Sequence, residues 1–122
     1  MGGYVPKVAT LDGFREITEK IEGISLAEAG SGETLIVQTK ESTYTIFITD
    51  STKREVVVTG GKYFPSHEKC ILSGSSFGGS FLKVGWIGIG MHVEFHRSNN
   101  RRVITSPVVT ISFSETSNHQ IH

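Results

Sequence analysis

From Glu33 onward, apolar and polar residues alternate with a period of two. Residues 33–40 (ETLIVQTK) and 42–50 (STYTIFITD) are rich in Thr, Val, Ile, Tyr and Phe, which suit a pleated sheet, and only Lys40 to Ser42 separates the two runs. That spacing predicts a hairpin. Residues 50–53 (DSTK) read as a second turn, followed by a third strand in 54–60 (REVVVTG). Gly60, Gly61 and Pro65 predict a break before a fourth strand in 69–74 (KCILSG). After a glycine-rich stretch, residues 98–101 (SNNR) form a strong hairpin turn, because Asn tolerates positive φ at low cost. Residues 101–106 (RRVITS) and 108–114 (VVTISFS) follow as strands, with Pro107 marking an edge, bulge or corner between them.

Ahead of the strands the period is different. Phe14, Ile17 and Ile21 fall on one face of a helix over 12–22, with Asp12 as its N-cap and Gly23 as its stop. Glu16 and Lys20 stand in the favourable i, i+4 order. One apolar stripe needs a surface to cover. The prediction is a mainly all-β fold: a small single-domain β-barrel or sandwich of about six to eight short antiparallel strands with one N-terminal α-helix. The domain spans 1–114, with the barrel over about 33–114. Residues 115–122 (ETSNHQIH) form a polar tail with too little apolar content to pack.

Residues 75–97 (SSFGGSFLKVGWIGIGMHVEFHR) hold the only tryptophan and five of the fourteen glycines. The stretch supplies one long strand or two bent ones, and by alternation Ile87, Ile89, Met91, Val93 and Phe95 share a buried face. Trp86, Gly88, Gly90, His92, Glu94 and His96 share the other, and Trp86, Gly88, Gly90, His92 and Glu94 are the candidate surface for a ligand or partner. Glycine in a strand serves a bend, a close approach of another backbone, or a flat ligand. Trp86 folded over Gly88 would shield the bare backbone, and the glycines at 85, 88 and 90 are read mainly as devices of geometry. A phosphate loop is excluded: the run GWIGIG leads into a strand, so no helix N-terminus stands behind it.

Other candidate chemistry is thin. His92, Glu94 and His96 lie along one strand face, where His92 and His96 are about 13 Å apart and cannot share an ion directly. A third ligand would have to come from His67 or Glu68, so no metal site is assigned. Cys70 lies three residues after His67 and reads as a small buried hydrophobe rather than a nucleophile. Only two aspartates exist, Asp12 and Asp50, both at helix or turn positions, so the reading leans away from an enzyme and calls for no catalytic residue and no cofactor.

Composition narrows the partners. Lys and Arg balance Asp and Glu in the 122 residues, which argues against nucleic acid as the main partner. The alternative of a nucleic-acid-binding barrel rests on the basic hairpin of Arg97, Arg101 and Arg102, with Tyr44, Tyr63, Phe64 and Trp86 as stacking aromatics wherever they face solvent. A further alternative is a metal-dependent or other enzyme centred on His92 and Glu94. The favoured expectation is a non-catalytic barrel for binding or assembly, with a protein partner or a second copy of itself. One cysteine permits no internal disulfide, and no signal peptide or membrane-spanning run is evident, so a cytoplasmic protein that does not enter membranes is expected.

The segments TGGKYFP (59–65) and GSSFGGSFLKVGWIGIGMHVEF (74–95) together carry a resemblance. The chain is similar over about 33–113 to a group of small bacterial proteins with a GG-[KR]-x-F-P segment before GS-x-x-GGS-x-L-K-x-GWIG-x-GM-x-x-EF. The resemblance implies a bacterial source and a self-contained domain. It implies no activity and no site residues.

Overall fold

The turn chemistry read from the sequence organises the chain. Asp50 Oδ1 accepts hydrogen bonds from the backbone N–H of Thr52 (3.0 Å) and Lys53 (3.1 Å), which closes the turn over 51–54. Asn99 Oδ1 does the same for Arg101 N–H (2.9 Å), and Asn100 takes φ 67°. A computed structural model describes residues 22–78 and 81–114. Its strands are β1 (Gly23–Ser25), β2 (Thr34–Thr39), β3 (Thr43–Asp50), β4 (Glu55–Gly60), β5 (Phe64–Ser76), β6 (Lys83–Val84), β7 (Trp86–Gly88), β8 (His92–Arg97) and β9 (Arg102–Phe113). One helical turn, α1 (Leu26–Ala29), follows β1.

Six strands close on themselves. The antiparallel pairs run β2–β3, β3–β4, β4–β5, β5–β8, β8–β9 and β9–β2, so the ring is an up-and-down barrel. A six-stranded barrel has room inside only for side chains. Leu35, Val37, Ile46, Ile48, Val56, Val58, Leu72 and Phe95 are all fully buried there. Burying each of the larger ones stabilises the fold by roughly 1.5–3 kcal/mol. The barrel half of the predicted fold is therefore observed, with β2, β3 and β4 within a residue of where alternation placed them.

Two prolines correct the strand boundaries. Pro65 does not break the chain but sits inside the long β5. Pairing with β4 slips between Gly60↔Phe64 and Val58↔Glu68, so residues 65–67 are looped out of the ladder and Pro65 owes it no donor. Pro107 lies inside β9 rather than between two strands, at a register irregularity that fits the bulge expected of it. It marks the point within β9 where the partner changes: Pro107 faces His92 of β8, and Val108 faces Thr39 of β2.

The expected helix over 12–22 lies outside the described residues, apart from Glu22, as does the tail over 115–122. Gly23 opens β1. The segment after it forms α1 through a capping box, with Ser25 Oγ accepting from Glu28 N–H (3.0 Å) and Glu28 Oε1 accepting from Ser25 N–H (3.1 Å). Among the described residues no helix is long and apolar enough to cross a membrane.

The barrel's two ends are covered differently. The first end gathers the 51–54 turn, the start of β2, and the small β1–β7 ribbon with α1, whose Leu26 and Ile87 are fully buried in the core. At the second end are the turns over 40–42, 61–63 and 98–101.

Candidate functional site

The glycine-rich stretch is not one strand. It is broken into β6, β7 and β8, so the single face proposed for Trp86, Gly88, Gly90, His92 and Glu94 does not exist as a unit. Trp86 and Gly88 belong to the ribbon, Gly90 lies in a turn with φ 82°, and His92 and Glu94 stand on the barrel wall. Ile89 correspondingly points partly to solvent, although Ile87, Met91, Val93 and Phe95 are buried as expected.

The reason for the missing side chains is visible at Trp86. Gly23 pairs with Gly88, and Ser25 with Trp86, across the ribbon. A methyl group on Gly23 would strike the Trp86 ring, and one on Gly88 would lie 2.6 Å from Trp86 Nε1 and 2.5 Å from Met91 Sδ. The indole thus lies over two bare backbones, and the Lys83 ammonium sits 3.9 Å from its centroid. This is the geometric role anticipated for Gly88, extended to Gly23.

On the barrel wall, Glu94 is only 5 % exposed although it faces outward. Its Oε2 accepts a 2.6 Å hydrogen bond from the Ser76 hydroxyl, and Arg102 Nη1 lies 3.8 Å from Oε1. His92 Nδ1 is 2.7 Å from the Thr105 carbonyl, a contact that places the proton on Nδ1. His96 is exposed, with Nε2 3.3 Å from Asn100 Oδ1. Among the described residues no three His, Cys, Asp or Glu side chains converge as metal ligands would.

Cys70 and His67 are not a pair. Cys70 registers with Val56 on the inner face, whereas His67 is exposed. Burial pushes the Cys70 thiol up to about 12, the opposite of an activated nucleophile.

Of the basic hairpin, Arg97 is already engaged. It donates to both oxygens of Glu68 (Nε to Oε2 2.9 Å, Nη2 to Oε1 2.7 Å) and to the Tyr63 carbonyl (3.1 Å), and its guanidinium lies 5.2 Å from the Phe64 ring centroid. The hydrogen bond from Arg97 holds the Glu68 carboxyl below the usual carboxylate range. Beneath this pair, Tyr44, Phe64 and Phe95 pack edge-on or tilted with centroids 5.2–6.3 Å apart. Of the four aromatics offered as stacking surfaces, Tyr44 and Phe64 are therefore core, Trp86 is half-covered and Tyr63 is exposed. Arg101 and Arg102 remain exposed. A groove of about 680 Å³ along β5 and the β8–β9 turn is lined by Lys69 and Arg97 against Glu55 and Glu68, with His67 and His96 beside them.

The topology also sorts charge. Among the described residues, the second end carries Lys40, Lys62, Arg97, Arg101 and Arg102 against Glu41, Glu68 and Glu94, the last beside Arg102. At the first end, Glu22, Glu28, Glu33, Asp50 and Glu55 stand against Lys53, Arg54 and Lys83. Within the described residues, a near balance of charge conceals a basic pole and an acidic one.

One surface was missed from the sequence. The connection leaving β5 at the first end presents Phe77 (69 % exposed), Phe81 (80 %), Val84 (61 %) and Leu82 to solvent. Scattered apolar residues are ordinary on a surface, but several on one connection mark a contact region. A signal was present: from Cys70 to Val93 there is no acidic residue, and Phe77, Phe81, Leu82 and Val84 crowd into one glycine-containing stretch.

Compared with family models, with curated proteins and with solved structures, the chain finds no match in any of the three.

Proposed function

We propose that the protein is a non-catalytic binding or assembly module that works through the outside of its barrel. The observation that carries this reading is the exposed apolar connection at the first end, with Phe77 and Phe81 each more than two-thirds in solvent. Two features support it. The interior is filled by core side chains, leaving the surface as the place where contact can occur. The groups with the most chemical promise are engaged elsewhere: Cys70 as a buried neutral thiol, Glu68 by Arg97, and Glu94 by Ser76.

The partner in this reading is a protein, either another chain or a second copy. The test is a Phe77→Ser/Phe81→Ser double variant, compared with the native chain by sedimentation velocity over a concentration series and by binding to candidate partners. The expected result is an unchanged circular dichroism spectrum and melting temperature with association lost. A variant that associates as the native chain does would remove this surface from the account.

A further inference from the structure

The geometry points to a second copy of this chain as the partner, docked head to tail, with the acidic first end and its projecting phenylalanines against the basic second end. This inference rests on the reading of the protein as an assembly module and names its partner. Three observations carry it.

The first is charge. The excess of acidic groups at one end and of basic groups at the other is complementary between copies, whereas either end facing its own twin sets like charges together. Six residues of strand separate the poles by roughly 20 Å, more than the ~10 Å over which salt at 0.1 M screens a charge, so each pole acts separately. The second is shape. Phe77 and Phe81 project from the first end, while the second end is a rim of three turns that leaves Tyr63 exposed beside Lys62, whose ammonium lies 5.5 Å from the Tyr63 centroid. The third is availability. The Lys62 and Arg101 side chains are exposed, and Arg97, which faces the same rim, is fixed by Glu68 and so adds a pre-ordered surface rather than a mobile one. A contact between two different surfaces of one chain is heterologous; it closes into a ring or continues as a filament.

The experiment uses two charge-reversed chains, Lys62→Glu/Arg101→Glu at the second end and Glu22→Lys/Glu33→Lys at the first, each checked for native circular dichroism. Sedimentation velocity at roughly 20 mM and roughly 0.5 M salt reads association. The expected native behaviour is assembly at low salt that weakens at least tenfold at high salt. Each reversed chain alone stays monomeric, and an equimolar mixture recovers association, because the two unreversed ends restore the native contact and the two reversed ends are complementary as well.

Native chain that stays monomeric at low salt overturns the inference. So does association indifferent to salt and to both reversals; if the Phe77→Ser/Phe81→Ser variant still abolishes that association, assembly stands and only the head-to-tail arrangement fails. Salt-sensitive binding of a single-stranded oligonucleotide, lost in Lys62→Glu/Arg101→Glu and accompanied by no self-association, assigns the basic end to nucleic acid and overturns it as well.

Discussion

The two ends of the barrel solve the same problem in opposite ways. At the second end the last core layer is aromatic, and a charged pair lies on it: Arg97 covers Phe64 and is held by Glu68, so the end is sealed with polar groups outward. At the first end the seal is a separate piece of chain, with Leu26 and Ile87 pushed into the core by a ribbon folded over Trp86, Gly23 and Gly88. The second solution hides the core equally well but leaves Phe77, Phe81, Leu82 and Val84 outside. An end closed by its own last residues has a small apolar surplus, here Tyr63. An end closed by an added segment carries a larger one, and the surplus is where contact with another molecule is favoured.

The comparison breaks most violently in the shared core. Phe95→Ala, which removes the ring between Tyr44 and Phe64, should cost about 3–5 kcal/mol in urea unfolding. A loss below about 1 kcal/mol would mean that the aromatic layer does not support the second end. Trp86→Ala should cost about 2–3 kcal/mol, since the indole is half-covered and its removal bares two glycine backbones. A fully stable Trp86→Ala chain with impaired association would move Trp86 from packing to contact.

The Arg97–Glu68 seal makes a prediction in pH. Glu68 is held below its ordinary range when folded, so its contribution is present above the unfolded carboxylate value and is lost as pH falls through the folded one. Thermal melts from pH 7 down to pH 3 should fall less steeply for Glu68→Gln than for the native chain, and parallel profiles would show that the pair gives no linkage. Cys70 acts at the other extreme. Its thiol is raised from 9.0 to about 12, so stability is fully present below pH 9 and declines as pH rises towards 12. Near neutrality the folded thiol carries roughly a thousandfold less thiolate than a free one, and a thiol reagent at pH 8 should label it only after denaturant is added. Rapid labelling of the folded chain would contradict its placement inside the barrel. The smallest expected effect is on stability in Phe77→Ser/Phe81→Ser, within about 0.5 kcal/mol of native, because neither ring packs on the core.

What the sequence made legible was local. Alternation in 33–50 and the turn residues Asp50 and Asn100 suffice to place β2, β3 and two of the turns, because a period of two and a positive φ are properties of a few consecutive residues. The register of Trp86 over Gly23 was not legible, since those residues are far apart in the chain and meet only through the ribbon. Alternation places Glu94 on the outward candidate surface with His92; its burial depends on Ser76 arriving from β5. The poles were hidden for the same reason. Lys40, Lys62 and Arg101 are spread along the chain, and only the up-and-down order of strands collects their turns at one end. The capping box of Ser25 and Glu28 is a short S-x-x-E motif, but the single turn it opens is too short to show a helical period.

The central claim is that the first end is a contact surface whose counterpart is the basic rim. Hydrogen–deuterium exchange of the native chain at low and high protein concentration tests it most directly. The account predicts slower exchange at high concentration in the peptides covering 81–86 and 61–63, with β2 and β3 unchanged. Exchange that is identical at both concentrations at the two ends, in a sample shown to be associated, would contradict it.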